Sequence, residues 1–260
     1  MQLSSDWVLT LKNLLLPQFC KQCGDRILTE ENGYFCPTCW EMSPRIERPF
    51  CPVCGRPHPA GVGLGTRSNF LCGPCSASNE QRPYRRILGA AQYEGAIEEA
   101  VKLLKFNGRV RLAQPLGELA AEAAREELDC ETYGFVVPVP LHRVRHRERG
   151  FNQSKLLAQE ALHVLPKAQL DESLKRIRPT KVQSRLHGEA ERRENVRGAF
   201  AVVNGTHLAG ATVLLVDDVV TTGGTIAECA LALRSAGVAV VDVLAVALAL
   251  PHGSDAQSKR

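Results

Sequence analysis

The stretch Val213-Leu-Leu-Val-Asp-Asp-Val-Val-Thr-Thr-Gly-Gly-Thr225 constrains the fold more than any other part of the chain. Its four leading apolar residues suit a buried strand and are too few for a helix. Asp217 and Asp218 follow where that strand is expected to leave the sheet. Hydroxyls and paired glycines come next, then an alanine-rich helical stretch over Ile226–Ala236. In this order the pieces make a cradle for a phosphorylated sugar. Gly223 and Gly224 let backbone approach an anion, and the helix aims free N–H groups and its positive dipole end at it. The two carboxylates are acceptors, suited to sugar hydroxyls or to a sugar-bound magnesium ion. No Lys follows the glycines and no G-x-G-x-x-G is present, which excludes a P-loop and a dinucleotide fingerprint. A strand whose Asp pair merely caps a helix is the plain alternative; it fits each piece better than it fits the ordered set.

Eight of the ten cysteines stand in four C-x-x-C pairs: Cys20/Cys23, Cys36/Cys39, Cys51/Cys54 and Cys72/Cys75. Each turn presents two thiolates to one ion, and two turns complete a closed, structural four-thiolate zinc site. Cys20–Gly24 and Cys51–Gly55 both end in glycine, whereas the other two pairs lack it. The order first–second–first–second favours two sequential ribbons, each with one zinc, over an interleaved cross-brace. Redox C-x-x-C motifs compete with this reading, but four copies without a thioredoxin-like βαβ context disfavour them. Cys130 and Cys229 stand alone and read as small buried apolar residues.

The N-terminus has no basic region or A-x-A-like cleavage site, so no secretory signal is expected and the compartment is read as a reducing cytoplasm. Residues 1–16 read as an amphipathic helix, with Leu3, Trp7, Leu11, Leu14 and Leu15 on one face. It carries a single basic residue, which favours packing on the protein over a membrane surface. Residues 17–80 hold the ribbons, with an open insert over His58–Phe70. A second domain is expected over 81–250 and a disordered tail over 251–260. Within the second domain, strands are expected at Ile87–Tyr93, Phe135–Pro140, Ala199–Val203, Ala211–Val216 and Val238–Leu250. Helices are expected from Gly95 to a break at Asn107-Gly108, over Leu112–Leu128 and over Ser154–Leu165. The architecture implied is α/β, a parallel sheet flanked by helices behind a small zinc module. The run Val238–Leu250 is broken by Asp242 and is too short to span a bilayer.

Charge is uneven. Leu141–Arg197 holds fourteen Lys/Arg against seven Asp/Glu, so the remainder is net acidic in a chain of net charge +4. Phe135–Pro140 ends in prolines, where sheet pairing stops and a loop is expected to depart. That loop carries Arg143, Arg145, Arg147 and Arg149 on alternate positions, and arginine forks match pyrophosphate oxygens. In an open α/β sheet it should converge with Asp217–Thr225 at the carboxyl ends of the strands. A solvated basic loop is the alternative. Lys175–Arg178 and Gln183–Arg197 form a second basic stretch, suited to a mobile loop that brings Arg176 and Arg178 over the substrate.

These motifs resemble a known family. Val213–Thr225 resembles the phosphoribosyl pyrophosphate (PRPP) motif of type I phosphoribosyltransferases. That segment, Pro138–Ser154, the later Arg176-x-Arg178 … Arg192-Arg193-x-Asn195-Val196-x-Gly198-Ala199-Phe200 and the cysteine-rich N-terminus are together similar to the ComF/GntX family, from Cys20 to Leu250. The resemblance implies that Asp217 and Asp218 hold the ribose hydroxyls and that Thr221, Thr222, Gly223, Gly224 and Thr225 wrap the 5′-phosphate. It implies a link to natural transformation and imported single-stranded DNA, with a competence helicase or another DNA-processing protein as partner.

If PRPP is the ligand, pyrophosphate leaves the anomeric carbon through an oxocarbenium-like state and a nitrogen attacks. Cations on pyrophosphate, magnesium across the oxygens and carboxylates near the ribose are then required. The acceptor site is not legible, so a pentosyl transferase stands beside a non-catalytic PRPP- or nucleotide-sensing adaptor that grips DNA or a protein.

Overall fold

The computed structural model describes residues 17–27, 33–58, 70–78, 81–179 and 194–250 of the chain. The expected N-terminal helix, most of the His58–Phe70 insert, most of Gln183–Arg197 and the tail lie outside the described residues.

Five parallel strands form the main sheet in the order β1-β7-β6-β2-β3. They are β1 (Arg86–Gln92), β2 (Phe135–Pro138), β3 (Gln169–Leu170), β6 (Thr212–Val220) and β7 (Val240–Leu248). The helices are α3 (Gly95–Asn107), α4 (Ala113–Glu127), α5 (Arg143–Arg149), α6 (Gln153–Ala161) and α7 (Gly224–Ser235), after two short ones in the ribbons, α1 (Pro37–Glu41) and α2 (Gly73–Ala77). β6 and β7 are buried almost throughout, as parallel strands covered on both faces must be. Gly108, at φ 64°, ends α3 in a left-handed cap where the Asn-Gly break predicts it.

Asp242, the interruption in the last apolar run, is wholly buried on β7. The Arg85 guanidinium donates to it with Nε at 2.9 Å and Nη2 at 2.5 Å, and the Tyr133 hydroxyl donates at 2.6 Å. A buried carboxylate is tolerated because its lone pairs are filled this way.

Three expectations change. β6 does not end at Val216 but runs through both acids to Val220, because β7 continues beside it with Asp217 opposite Ala245 and Val220 opposite Leu248. The segment after Pro140 is not a loop: His142 caps α5, whose turns close at Gly150. Lys175 and Arg176 lie on β4 (Leu174–Arg176), which pairs antiparallel with β5 (Phe200–Val202) in a separate two-stranded sheet. Ala199–Val203 is therefore a strand, but outside the main sheet. Cys229 is buried as expected, whereas Cys130 is only half-buried.

The ribbon module closes the sheet's first edge. Residues 44–46 run antiparallel along β1, with the Ile46 amide donating to Ala90 at 3.0 Å and the Gln92 amide to Pro44 at 2.8 Å. An exposed edge strand invites pairing with other chains, and this strap removes it. The two knuckle glycines occupy equivalent left-handed positions, Gly24 at φ 80° and Gly55 at φ 70°, but in different surroundings. A Cβ on Gly24 meets nothing within 4 Å, while one on Gly55 falls 2.7 Å from the Ile87 carbonyl oxygen. Gly24→Ala should therefore cost about 1–2 kcal/mol of left-handed strain. Gly55→Ala should cost clearly more, because ribbon and sheet must part. Melting of the two zinc-loaded variants checks this; equal losses would mean the junction is soft.

Candidate functional site

The eight paired cysteines gather into two groups, Cys20/Cys23/Cys36/Cys39 and Cys51/Cys54/Cys72/Cys75, with the sulfurs of each group within 4.8 Å of one another. The sequential pairing holds. Cys23 and Cys36 sulfurs are 3.8 Å apart and Cys54 and Cys72 sulfurs 3.5 Å. A tetrahedron with Zn–S bonds of about 2.3 Å has an edge of roughly 3.8 Å, so both groups fit zinc. The ribbons repeat in backbone as well: Phe19 bridges Arg26, and Phe50 bridges Pro57.

At the carboxyl end of the sheet the neighbours β2 and β6 part company. The Val139 amide makes the last bond from the β2 side, to the Val216 carbonyl at 2.9 Å, and prolines then end the pairing. β6 runs on alone on that side. Beyond this point lies a crevice of about 610 Å³, lined by both acids, Thr221, Gly223, Gly224 and Thr225. α7 opens at Gly223 (φ 78°) with no side chain capping it, so its first N–H groups face the crevice. Thr222 turns the other way and lines a second cavity, of about 390 Å³, against the second ribbon.

Both carboxylates are buried and fixed from the backbone side. Asp217 Oδ1 accepts from the Ser154 hydroxyl at 3.0 Å and from the Asp218 amide at 2.9 Å; Asp218 Oδ1 accepts from the Val219 amide at 2.6 Å. Burial, then the adjacent Asp218 charge, pushes the Asp217 carboxyl up to about 7, against the opposing pull of Lys105, the Asp218 amide and Ser154. Lys105 on α3 reaches in, its ammonium 2.8 Å from Asp218 Oδ2.

Helical geometry sorts the arginines. Positions two apart on a helix lie nearly opposite, while positions four apart share a face. Arg145 and Arg149 accordingly turn into the crevice and are half-buried, whereas Arg143 and Arg147 are exposed and do not line it. Arg176 joins the inward pair from β4, stacked over Phe200 at 5.3 Å. Arg178 stays outside, donating to the carbonyls of Asn195 and Arg197.

Sequence reasoning missed Lys105 and the Asn152-Gln153-Ser154 triplet. Asn152 caps α6 and ties it to the Val139 carbonyl, Gln153 accepts from Arg149 at 2.5 Å, and Ser154 holds Asp217. Asn immediately before a helical run was the available signal for the first; the others depend on tertiary contacts. Two aromatic side chains also line the crevice: Tyr93 and Phe106, the latter 74% exposed with the Arg149 guanidinium 5.7 Å from its ring centroid. The arrangement is a cation-rich pocket around two acids and a helix N-terminus without a side-chain cap, suited to a polyanionic sugar ligand.

Comparison with known proteins agrees with this description. A family model described as double zinc ribbon domain matches residues 11–76, and one described as phosphoribosyl transferase domain matches residues 152–259. DNA utilization protein YhgH of Escherichia coli K12 is 33% identical over 236 residues, 88% of this chain and 96% of its own. Competence protein F of Haemophilus influenzae is 27% identical over the same shares, and competence protein ComFC of Bacillus subtilis is 24% identical over 74% of each chain. A solved structure titled as the allosteric regulatory enzyme of purine biosynthesis matches at a TM-score of 0.39 and 20% identity, over 56% of this chain and 30% of that one. Among the described residues, no helix is long and apolar enough to cross a membrane.

The facing of α5 gives a direct test. Replacing Arg145 and Arg149 together by Ala should weaken inorganic pyrophosphate binding at least on the order of ten-fold and flatten its salt dependence, because charge-assisted bonds are lost. Replacing Arg143 and Arg147 should leave calorimetric affinity within about two-fold. Equal losses from both pairs would contradict the facing.

Proposed function

We propose, from the premise that this chain belongs to the ComF/GntX family of double-zinc-ribbon phosphoribosyltransferase-domain proteins, that the crevice binds PRPP with magnesium and transfers its phosphoribosyl group to a nitrogen acceptor. One observation carries the reading. Two buried acids and an uncapped helix N-terminus face three arginines across a single crevice. In this reading the 5′-phosphate rests on Thr221, Gly223, Gly224 and Thr225, with Thr222 turned out of the set, the ribose hydroxyls on Asp217 and Asp218, and the pyrophosphate among Arg145, Arg149 and Arg176. Arg143, Arg147 and Arg178 drop out of the pyrophosphate set because they face away.

The chemistry follows from the charges. The bond from the anomeric carbon to pyrophosphate breaks with its electron pair leaving on the pyrophosphate oxygen, while positive charge spreads over the sugar. The arginines stabilise the departing anion, the carboxylates lie beside the cationic ring, and the nitrogen closes on the opposite face. Asp217 and Asp218 would help to hold a magnesium ion bound with PRPP, which would supply further neutralisation of the phosphate charge. The departing pyrophosphate can take the proton that the nitrogen sheds.

The name of one relative, DNA utilization protein, supports a role connected with DNA. Exposed Arg143, Arg147 and Lys175 offer charge to a single strand from outside the crevice. A competence helicase or similar DNA-processing protein is a partner consistent with the relatives' names, and the two zinc ribbons give a surface for it. An adaptor that senses PRPP without turning it over is the second reading, favoured by the dedication of Gln153 and Ser154 to holding other side chains.

Calorimetry with PRPP and pyrophosphate release with nitrogen acceptors separate the two. Asp217→Asn and Asp218→Asn should each weaken PRPP binding ten- to a hundred-fold, on the order of 1.5–3 kcal/mol. Stability should respond differently. A carboxyl raised to about 7 from an ordinary 3.8 favours the fold at low pH and loses that advantage as pH rises toward 7. Asp217→Asn lacks this loss, so it should melt increasingly above wild type from pH 4 to 7 and hold the gain beyond. Wild-type PRPP affinity should rise over the same range. Normal PRPP binding by both variants would remove the assignment of the acids.

A further inference from the structure

Lys105 has no part in the reading above, yet it makes a direct charge contact with one of the two acids. It sits on the last turn of α3, and its side chain is 21% exposed where it meets Asp218, itself 4% exposed, at 2.8 Å. Lys102, one turn earlier, also lines the crevice but is bound to Glu98 at 2.8 Å and is 46% exposed. The Lys105 pair is therefore no screened surface contact.

The contact has a steric consequence. Asp218 Oδ1 is taken by the Val219 amide, and Oδ2, sealed from solvent, is the oxygen that the Lys105 ammonium covers. A sugar hydroxyl binds a carboxylate oxygen at about 2.7 Å and magnesium binds one at about 2.1 Å. Either would occupy the volume in which the ammonium now lies. The contact with Oδ2 lacks hydrogen-bond alignment, so it is held by charge alone. A charge contact on a flexible four-carbon stem can be released toward another anion, and incoming phosphate oxygens would provide one.

We propose that Lys105 is a displaceable counter-cation. It neutralises Asp218 in the empty crevice, must leave before that carboxylate can take a metal or a hydroxyl, and so sets the divalent-cation concentration at which the crevice loads. The proposal deepens the PRPP reading and rests on it only for the identity of the sugar; the competition for Asp218 Oδ2 does not require PRPP.

The test uses the full-length zinc-loaded protein and manganese, a paramagnetic divalent ion, titrated without sugar at pH 8.5, above the Asp217 value of about 7. Lys105→Met keeps the length of the side chain and removes its charge, Lys105→Arg keeps the charge, and Lys102→Met removes a charge elsewhere in the same crevice. Free manganese is read by electron paramagnetic resonance, and melting confirms that each variant is folded. Lys105→Met should bind manganese on the order of ten-fold more tightly, while Lys105→Arg and Lys102→Met stay close to wild type. In parallel, calorimetry should show that Lys105→Met reaches half-saturation with PRPP at lower magnesium.

Manganese binding by Lys105→Met no tighter than by Lys102→Met would overturn the proposal. So would a uniform loss of PRPP affinity at every magnesium concentration, which would make Lys105 an ordinary contact to the ligand. Tight manganese binding by Lys105→Met with no PRPP binding by any form would uphold the counter-cation and refute the PRPP reading. The two failures are thus distinguishable.

Discussion

The structure depends on two neighbouring strands ending at different heights. β2 runs out of amide hydrogens at its prolines, and its last bond is made by Val139. β6 continues for four residues because β7 pairs with it as far as Val220. The two acids therefore stand on a strand supported on one side and open on the other. A sheet whose strands all ended level would leave them in a loop, with their carboxylates unfixed. β2 leads outward to β3 while β6 leads the other way to β7, so the following helices separate and a crevice remains between them.

Charge balance in that crevice follows from burial. Two adjacent carboxylates out of water repel each other, and the molecule answers with a raised Asp217, a Lys105 contact at Asp218 and hydrogen bonds from Ser154 and the following amides. Arg145, Arg149 and Arg176 add an excess of positive charge around the acids. A site with this excess of positive charge attracts anions. The zinc module contributes at a distance: its linker covers the edge of β1, and Gly55 seats the second ribbon against the Ile87 carbonyl.

Features coded locally were legible in the sequence. The order strand–acids–glycines–helix and the glycine-ended knuckles each lie within a few residues, and both appear in the structure with the expected partners. The length of β6 is not legible locally, because the acids look like a strand's end, whereas β7, distant in sequence, extends it. Alternate charges after prolines read as a loop over Arg143–Arg149. His142 and Gly150, the capping residues at its two ends, were the signals for a helix. Lys105, Gln153 and Ser154 were invisible for another reason. Each is an ordinary helix residue until the packing of α3 and α6 against β6 gives it a partner.

A crystal structure of the zinc-loaded protein with PRPP and magnesium would test the central claim most directly. The account predicts the 5′-phosphate on the N–H groups that open α7, the ribose hydroxyls at Asp217 and Asp218, and the pyrophosphate within reach of Arg145, Arg149 and Arg176. PRPP bound elsewhere, such as in the cavity against the second ribbon, or a crevice left empty at saturating ligand, would contradict it.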